Sequence, residues 1–284
     1  MTVVISSITD LRQRLLPVRR DGKTVGLVPT MGALHLGHRR LIELARREND
    51  TVVVTVFVNP TQFDRNADLQ GYPRTLEDDV AICREAGVDF VFAPDSAEMY
   101  PPGGQLAWVD VPALTEHLCG PARPGHFRGV ATVVMKLFQI VQADRAYFGE
   151  KDAQQLAVIR RMVRDLNVPV EIAPVQTVRE PDGLAMSSRN RRLTAEDRKT
   201  ATTLSQALFT AEAIVRGGER SVDRVQAAVL PLFHRHPQIR LEYFSIVDAE
   251  TLTPVETIDR PVLIAGAMWL GATRLIDNVM IAPV

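Results

Sequence analysis

Short apolar runs alternate with amphipathic helical patterns through the first 175 residues, and this alternation limits the possible folds more than any other feature. The runs are rich in β-branched residues and apolar on both faces, which predicts buried parallel strands at 24–29, 51–58, 88–94, 145–149 and 169–175. The segments between them repeat apolar residues at helical spacing. The alternation predicts a Rossmann-like, doubly wound parallel sheet of the α/β class, with ligands bound at the carboxyl ends of the strands.

The last third of the chain follows a different pattern. Segments 194–218 and 221–236 predict two amphipathic helices, the first capped by Thr194, and the strand-like IRLEYFSIVDA and PVLIAGAMWLG follow them. Helices followed by strands, without strand–helix alternation, predict a small α+β domain. We therefore expect two domains, at residues 1–177 and 178–284.

Composition and charge exclude several classes of protein. The 284 residues carry a formal net charge of −1, so no overall field attracts nucleic acid or anionic membranes. Cys83 and Cys119 form no CxxC motif or disulfide framework, which favours a reducing compartment and buried thiols. The sequence shows no secretory signal and no run long enough to span a membrane. We expect a cytoplasmic protein with no nucleic-acid or membrane partner.

The stretch VPTMGALHLGHRRLIEL, residues 28–44, joins a predicted strand to a helix that starts near His38. A loop at 32–37 would lie at the helix amino terminus, where free N–H groups and the helix dipole attract anions, and Gly37 would allow close approach. His35 and His38 can donate hydrogen bonds to phosphate from one side of this turn. The alternatives are core histidines, or a metal site that would need a third ligand.

Two later segments carry charged and hydroxyl groups suited to a nucleotide. In FGEKDAQQL (148–156), Lys151 would lie beside free helix amides and suit a phosphate, while Asp152 can accept ribose hydroxyls and Gln155 shares its face. In AMSSRNRR (185–192), the serines and Arg189 can donate to a triphosphate. Each segment alone also fits an ordinary helix start or a polar loop.

Two further segments place polar side chains beside predicted strands and helices. In FVNPTQF (57–63), Asn59 and Gln62 follow a strand and suit a carboxylate, a hydroxyl or an amine. In RPGHFRGVATVVMKLF (123–138), Arg123 and His126 precede a helix predicted to begin near Gly129. An Asn-Pro turn and a solvated helix entry are the structural alternatives.

These segments together resemble the pantothenate synthetases, a family of pantoate:β-alanine ligases. PTMGALHLGH, FVNPTQF, YPRTLEDD, RPGHFRGVATVV, FGEKDAQQL and GLAMSSRN all look like family motifs and stand in the family's order. The resemblance covers nearly the whole chain and is most specific through residue 193. The first motif is similar to the HIGH signature of a nucleotidyltransferase superfamily, and MSSRN is similar to its KMSKS loop, with Arg189 supplying the cation.

The resemblance implies an activity and its partners. An enzyme of this family condenses pantoate with β-alanine to pantothenate at the expense of ATP, through a pantoyl adenylate, and releases AMP and pyrophosphate. Mg²⁺ is implied as the companion of ATP. The resemblance also implies a homodimer through residues 1–177, with residues 178–284 as a lid over ATP.

The resemblance further implies roles for single residues. The catalytic residues would be His35, His38, Lys151 and Arg189. Contacts in the ATP site would come from Met31 (packed beside pantoate), His38, Gly149, Lys151, Asp152, Val178, Ser187, Ser188 and Arg189. Pantoate would be clamped by Gln62 and Gln155, and β-alanine or its target placed by Asn59, Arg123 and His126.

Acidic residues near the start of one predicted helix are the candidates for magnesium. Asp78 and Asp79 match positions associated with the metal in the family, but both also fit a solvated helix start. Thr75 and Asp78 resemble a capping box for this helix. Thr61 is a small departure, since many relatives carry methionine there.

Three rival functions share some of these features. A simple nucleotidyltransferase would keep the adenylyl group on its product and need no β-alanine site. A fragment of a tRNA synthetase would need an anticodon-binding module or a basic tract, and neither is evident in the sequence. A nucleotide sensor would bind ATP without pyrophosphate exchange in the presence of pantoate.

Overall fold

The computed structural model describes residues 1–100 and 103–282, and six parallel strands form its larger sheet. The strands are β1 (Val3–Ile5), β2 (Val25–Thr30), β3 (Thr51–Val56), β4 (Phe90–Phe92), β5 (Arg145–Gly149) and β6 (Glu171–Val175). The helices in this part of the chain are α1 (Ile8–Arg20), α2 (Leu36–Glu48), α3 (Asn66–Gln70), α4 (Leu76–Glu85), α5 (Ser96–Met99), α6 (Cys119–Ala122), α7 (His126–Val141) and α8 (Ala153–Asp165). The predicted α/β fold is confirmed.

The order of the strands creates a switch point between β2 and β5. The sheet runs β1-β4-β3-β2-β5-β6, so the chain winds one way from β2 through β3 and β4, and the other way through β5 and β6. Gly26 of β2 lies opposite Arg145 of β5 in this parallel pair. Ligands of doubly wound sheets bind outside the carboxyl ends of the strands at such a point. The turn after β2 ends at His35, and His38 lies in the first turn of the following helix α2.

Periodicity missed strand β1 and helix α1, and it placed the starts of two helices a few residues too late. Strand β1 has only three residues and pairs in parallel with β4, while α1 follows with Ser7 as its N-cap. Helix α2 begins at Leu36 and not near His38, and α7 begins at His126 and not near Gly129. A three-residue strand and the ends of helices carry few apolar repeats, which is why the pattern did not locate β1 or these two starts.

A second, antiparallel sheet forms in the last third of the chain. Helices α9 (Ala195–Arg216) and α10 (Val222–His234) precede strands β7 (Ile239–Asp248), β8 (Val262–Leu270) and β9 (Thr273–Ile281), which pair in the order β7-β8-β9. The predicted small α+β region is confirmed, and the Thr194 side chain caps α9 as predicted. Strand β9 was not predicted. Its partner β8 is buried along almost its whole length.

Contacts along the chain define two compact units. The first unit comprises Met1–Val111, Arg123–Glu150 and Val158–Gln176, and it holds the six-stranded sheet. The second comprises Pro112–Ala122, Lys151–Ala157 and Thr177–Val284, and it holds the three-stranded sheet. The ligand roles expected for residues 1–177 and 178–284 stay predictions.

Two expectations from the sequence concern the hydrophobicity of the helices and the state of the two cysteines. Among the helices of residues 1–100 and 103–282, none is long and apolar enough to cross a membrane. Cys83 and Cys119 are both buried and unbridged, as the sequence predicted.

Substitution of Leu208 tests how α9 packs in the core of the second unit. Its side chain is fully buried in a cluster that includes Leu204, Ile264 and Met268. We expect Leu208→Ala to lower the free energy of unfolding by about 2–5 kcal/mol, because the deletion leaves a cavity. Urea denaturation measures this change. The matched control is Gln206→Ala on the exposed face of the same helix, and equal midpoints for the two variants would contradict the assignment.

Candidate active site

The turn between β2 and α2 adopts a backbone conformation that requires glycine at one position. Gly32 has φ of +80° and Ala33 has φ of +51°, both in the left-handed region. A Cβ on Gly32 would lie 2.9 Å from Asp79 Oδ2 and 3.0 Å from Val56 Cγ1. The Gly32 N–H donates to Thr30 Oγ1 at 3.1 Å. The turn therefore closes tightly over the end of its own strand.

A buried carboxylate from α4 anchors this turn. Asp79 is 1% exposed, and it accepts hydrogen bonds from the N–H groups of Ala33 at 3.0 Å and Leu34 at 2.7 Å. The Thr75 hydroxyl donates to it at 3.3 Å, so Thr75 is the N-cap residue but makes no capping bond to the backbone. The expected capping box with Asp78 is therefore wrong. The charge of Asp79 also reaches Cys83, where burial, reinforced by this charge, raises the thiol pKa to about 12.

The same contacts bear on the expected magnesium site. The Asp79 oxygens accept from three donors in a closed environment, which fits an anchor for the turn and does not fit a direct metal ligand. Asp78 is exposed. Within residues 1–100 and 103–282, no group of three or more His, Cys, Asp or Glu side chains is arranged to hold a metal. Magnesium stays a prediction tied to ATP, whose phosphates and bound water can carry it.

The two histidines form a pair of tilted, closely packed rings at the start of α2. His35 is the N-cap residue, and its Nδ1 accepts the Gly37 N–H at 3.1 Å. His38 Nδ1 accepts the N–H of His35 at 3.3 Å, and the ring centroids are 4.0 Å apart. Gly37 therefore lies inside the first helical turn and not in the predicted loop. Its N–H is bonded to His35, so this amide is already used within the turn, and the close approach of a ligand at Gly37 stays a prediction.

These bonds assign the tautomer of both rings. A backbone N–H donates to Nδ1 of His35 and of His38, so the proton of each neutral ring lies on Nε2. Each imidazole then presents an N–H donor at the amino terminus of α2, where the helix dipole also favours negative charge. This arrangement suits an anion such as a phosphate.

The side chain of Gln62 is oriented by a buried asparagine. Asn59 is 1% exposed and donates from Nδ2 to Gln62 Oε1 at 3.0 Å and to the Gly129 carbonyl at 3.3 Å. Its Oδ1 accepts from the Tyr100 hydroxyl at 2.6 Å and from the Thr61 hydroxyl at 3.0 Å. The amide of Gln62 is therefore fixed with Oε1 toward Asn59. Thr61, the departure from the family pattern, takes part in this network.

A second set of bonds holds the backbone at Gln62. His126 Nδ1 lies 2.7 Å from the Gln62 carbonyl and donates to it, so Nε2 accepts from Arg123 Nη1 at 2.9 Å. Arg123 also pairs with Asp64 at 3.0 Å. Burial alone would raise the pKa of Asp64, but the charge and hydrogen bond of Arg123 hold it below its usual value. His126 therefore has the opposite tautomer to His35 and His38.

Close approach of α7 makes this arrangement possible. A Cβ on Gly129 would lie 2.3 Å from the Thr61 carbonyl oxygen, so only glycine lets the helix contact the 3₁₀ turn Pro60–Gln62. The structure thus brings together Asn59, Gln62, Arg123 and His126, which the sequence had placed in two separate motifs. The sequence did not identify Asp64 as the partner of Arg123 or Tyr100 as the partner of Asn59. No local sequence motif indicates either contact.

In the second unit, two neighbouring glutamines at the start of α8 lie in different environments. Gln154 is buried and bonds the Cys119 N–H at 2.9 Å and the carbonyls of Leu114 and His117 at 2.9 and 2.8 Å. Gln155 is half-buried, as are Lys151 and Asp152. Lys151 Nζ lies 3.8 Å from Asp152 Oδ1. Gln154 is thus a structural residue, and Gln155 remains the candidate for ligand contact.

The serine–arginine motif forms a 3₁₀ turn, Ser188–Arg192, with Ser187 as its N-cap. Ser187 Oγ accepts the Arg189 N–H at 3.2 Å. Asn190 fastens the turn by donating to Glu180 Oε1 at 2.9 Å and to the Ala185 carbonyl at 3.1 Å. The preceding residues 178–186 form a small hairpin, in which the Met186 N–H donates to the Val178 carbonyl at 2.9 Å. Val178 and the 187–189 segment are therefore linked within this unit.

Asp79 gives a direct test of the anchored turn. In Asp79→Asn, an amide N–H₂ would face the backbone N–H of Ala33 or Leu34, so one hydrogen bond is lost. We expect amide hydrogen exchange at these two positions to accelerate about 5- to 30-fold, corresponding to ~1–2 kcal/mol. Asp78→Asn, at the adjacent exposed position, is the control and should leave both amides protected. Unchanged exchange in Asp79→Asn would refute the anchor.

Comparison with known proteins places the chain in one family. The pantoate-beta-alanine ligase family matches residues 3–280. A pantothenate synthetase from Moorella thermoacetica is 52% identical over 278 residues, which cover 98% of each chain. The crystal structure of a pantothenate synthetase from Thermus thermophilus is 48% identical and superposes with a TM-score of 0.94 over 100% of both chains.

A further solved structure is described with bound ligands. It is a pantoate-beta-alanine ligase from Francisella tularensis complexed with beta-gamma ATP and beta-alanine, 32% identical, with a TM-score of 0.79 over 99% of this chain and 98% of its own. The motifs, the fold and these relatives agree along nearly the whole length. The chain belongs to the pantoate–β-alanine ligase family.

Proposed function

We propose that the chain joins pantoate to β-alanine, using ATP and passing through a pantoyl adenylate. One observation carries the proposal: the His35–His38 pair, bonded through Nδ1 to backbone N–H groups, places its Nε2 N–H groups at the helix start beside the β2–β5 switch point. Membership of the ligase family supports the overall condensation. The Francisella tularensis relative with an ATP analogue and β-alanine supports the choice of substrates.

In the first step, a carboxylate oxygen of pantoate attacks the α-phosphorus of ATP. The new P–O bond forms as the bond to the β-phosphate oxygen breaks, so pantoyl adenylate and pyrophosphate result. Negative charge builds on the phosphate oxygens, and donors fixed beforehand stabilise it without reorganising. His35 and His38 are assigned this role through Nε2, with Lys151 and Arg189 as the cations.

In the second step, the amine of β-alanine attacks the activated carbonyl carbon. A C–N bond forms, the C–O bond to the phosphate breaks, and AMP leaves as the amine loses a proton. The chemistry needs little covalent help from the protein, so the placement of the reactants supplies most of the acceleration. Positioning residues should therefore be numerous, which agrees with the bonded networks around Gln62 and Asp79.

The geometry sharpens the assignment of the substrate contacts. Because Gln62 Oε1 accepts from Asn59, its Nε2 group is the part available to donate to a pantoate oxygen. Asn59 and His126 both act on Gln62, so we propose that they position it. Gln155 is the second proposed pantoate contact. Placement of β-alanine by Asn59, Arg123 or His126 stays a prediction.

The remaining contacts are proposed for the nucleotide. Met31 would pack beside pantoate in the ATP site, Gly149 and Asp152 would hold the ribose, and the backbone at Val178 would read adenine. Ser187, Ser188, Lys151 and Arg189 would hold the triphosphate. The N-cap bond from the Arg189 N–H to Ser187 and the link between Val178 and Met186 give these segments a defined backbone.

Product analysis tests the proposed function against its rivals. With MgATP, pyrophosphate exchange should require pantoate alone, and net AMP release should require both pantoate and β-alanine. A nucleotidyltransferase would keep the adenylyl group on its product and release no AMP when β-alanine is added. A nucleotide sensor would bind ATP and show no exchange at saturating pantoate. Either pattern would refute the ligase.

Single substitutions test the assigned charge-stabilising donors. We expect His38→Ala and Lys151→Ala each to lower the single-turnover rate of adenylation by roughly 10²–10³-fold, the loss typical of one preorganised donor. Rapid-quench measurement of pantoyl adenylate gives this rate. The controls are His234→Ala and Lys199→Ala, which change the same residue types at positions of α10 and α9 outside the proposed site. Wild-type rates in both test variants would remove these residues from the mechanism.

A further inference from the structure

Two adjacent buried residues in the middle of β9 contact segments far away in the sequence. Asp277 is 4% exposed and Asn278 is 9% exposed. The N–H of Asn278 donates to Asp277 Oδ1 at 2.8 Å, which ties the two residues together. Successive side chains on a strand point to opposite faces, so this pair can reach two different neighbours. Neither residue has a role in the function proposed above.

Asp277 holds the 178–186 hairpin through an arginine. Arg179 makes two hydrogen bonds to the Asp277 carboxylate, at 2.6 and 3.0 Å, across 98 residues of sequence. The same guanidinium donates to the Gly183 carbonyl at 3.1 Å, and it stacks 4.8 Å from the ring centroid of Phe209 on α9. Arg179 thus fixes its own arm and the turn of the hairpin to β9. The planar fork of arginine makes this geometry specific.

Asn278 holds the start of the 151–157 segment. Its Nδ2 donates to the Lys151 carbonyl oxygen at 2.8 Å, across 127 residues of sequence. The Lys151 backbone is bonded from β9, and its side chain is one of the two cations proposed for the triphosphate. The carbonyl belongs to a 3₁₀ turn, Glu150–Asp152, and not to any strand of the β7-β8-β9 sheet.

We infer that Asp277 and Asn278 are positioning residues for ATP: Asn278 sets the backbone of Lys151, and Asp277, through Arg179, sets the hairpin that carries Val178. This inference rests on the proposed function for the identity of the ligand. The apolar core of the unit, with Leu204, Leu208 and Ile264, packs α9 on the sheet independently of this pair. Removing one partner of a buried ion pair is destabilising in general, so the effect of this pair on the two segments it holds is compared with that of a second ion pair in the same sheet.

Binding of β,γ-methylene-ATP, measured by calorimetry, tests the inference. We expect the Kd to rise about 5- to 20-fold in Asn278→Leu and in Asp277→Asn, because each loses a buried hydrogen bond that sets a binding segment. Arg179→Lys keeps the charge but loses the fork, and it should also weaken binding. In steady-state assays the KM for ATP should rise in all three variants, while the KM for β-alanine stays within about twofold.

The matched control is another ion pair that joins strands of the same sheet. Arg274 of β9 pairs with Glu242 of β7 at 2.5 Å, and the two side chains are 13% and 18% exposed. Glu242→Gln should lower the Tm but leave the Kd for the ATP analogue unchanged. Equal losses of affinity in Glu242→Gln and Asn278→Leu would show a general loss of stability and overturn the inference.

Hydrogen exchange provides a readout that does not depend on catalysis. Asn278→Leu should accelerate exchange in peptides covering 151–157, and Asp277→Asn in peptides covering 178–186, with peptides of β2 and α2 unchanged. Folded variants with wild-type exchange and wild-type Kd would overturn the inference. If the wild-type protein binds the analogue but makes no pantothenate, the proposed function fails and the Kd comparison still decides the inference. If it binds no analogue, both fail.

Discussion

The carboxylate of Asp79 is the interaction on which the proposed catalytic end of the larger sheet depends. A turn with two successive left-handed residues leaves backbone N–H groups pointing inward, and buried unpaired N–H groups are costly. Asp79 accepts two of them from α4, a helix that lies 45 residues further along the chain. The hydrogen bonds to Asp79 offset the free-energy cost of removing its carboxylate from water. The start of α2, with His35 and His38, is placed by this contact.

Buried polar side chains elsewhere in the structure act in the same way. Asn59 donates a hydrogen bond to the side chain of Gln62, and His126 donates one to its backbone carbonyl. The side-chain amide of Asn190 donates to Glu180 in the hairpin that precedes Ser187. Such networks cost stability when incomplete and define one geometry when complete. Adenylate chemistry depends on placing phosphate, carboxylate and amine correctly, so a protein that performs it gains from many positioning groups.

Sequence patterns predicted the parts of the fold that have strong periodicity. Strands β2 to β6 and the α+β character of the last third followed from apolar repeats, whereas β1, α1 and β9 were missed. The starts of α2 and α7 were predicted too late in the sequence. Their N-cap residues are a histidine and a left-handed glycine, which are not the usual capping signals. The candidate site was predicted as residue types, and its hydrogen-bond partners were not predicted.

By itself the sequence determined the strand–helix alternation, the glycine-bearing turn after β2, the motif residues and the family. These properties are local, because they depend on spacing within a few residues. Tertiary structure alone decided that Asp79 anchors a turn, that His126 has the opposite tautomer to His35, and that Gln154 is buried in a hydrogen-bond network while Gln155 is half-buried. Each of these outcomes depends on a hydrogen bond between residues brought together by folding, or on which face a helix buries. Spacing along the chain does not encode such contacts.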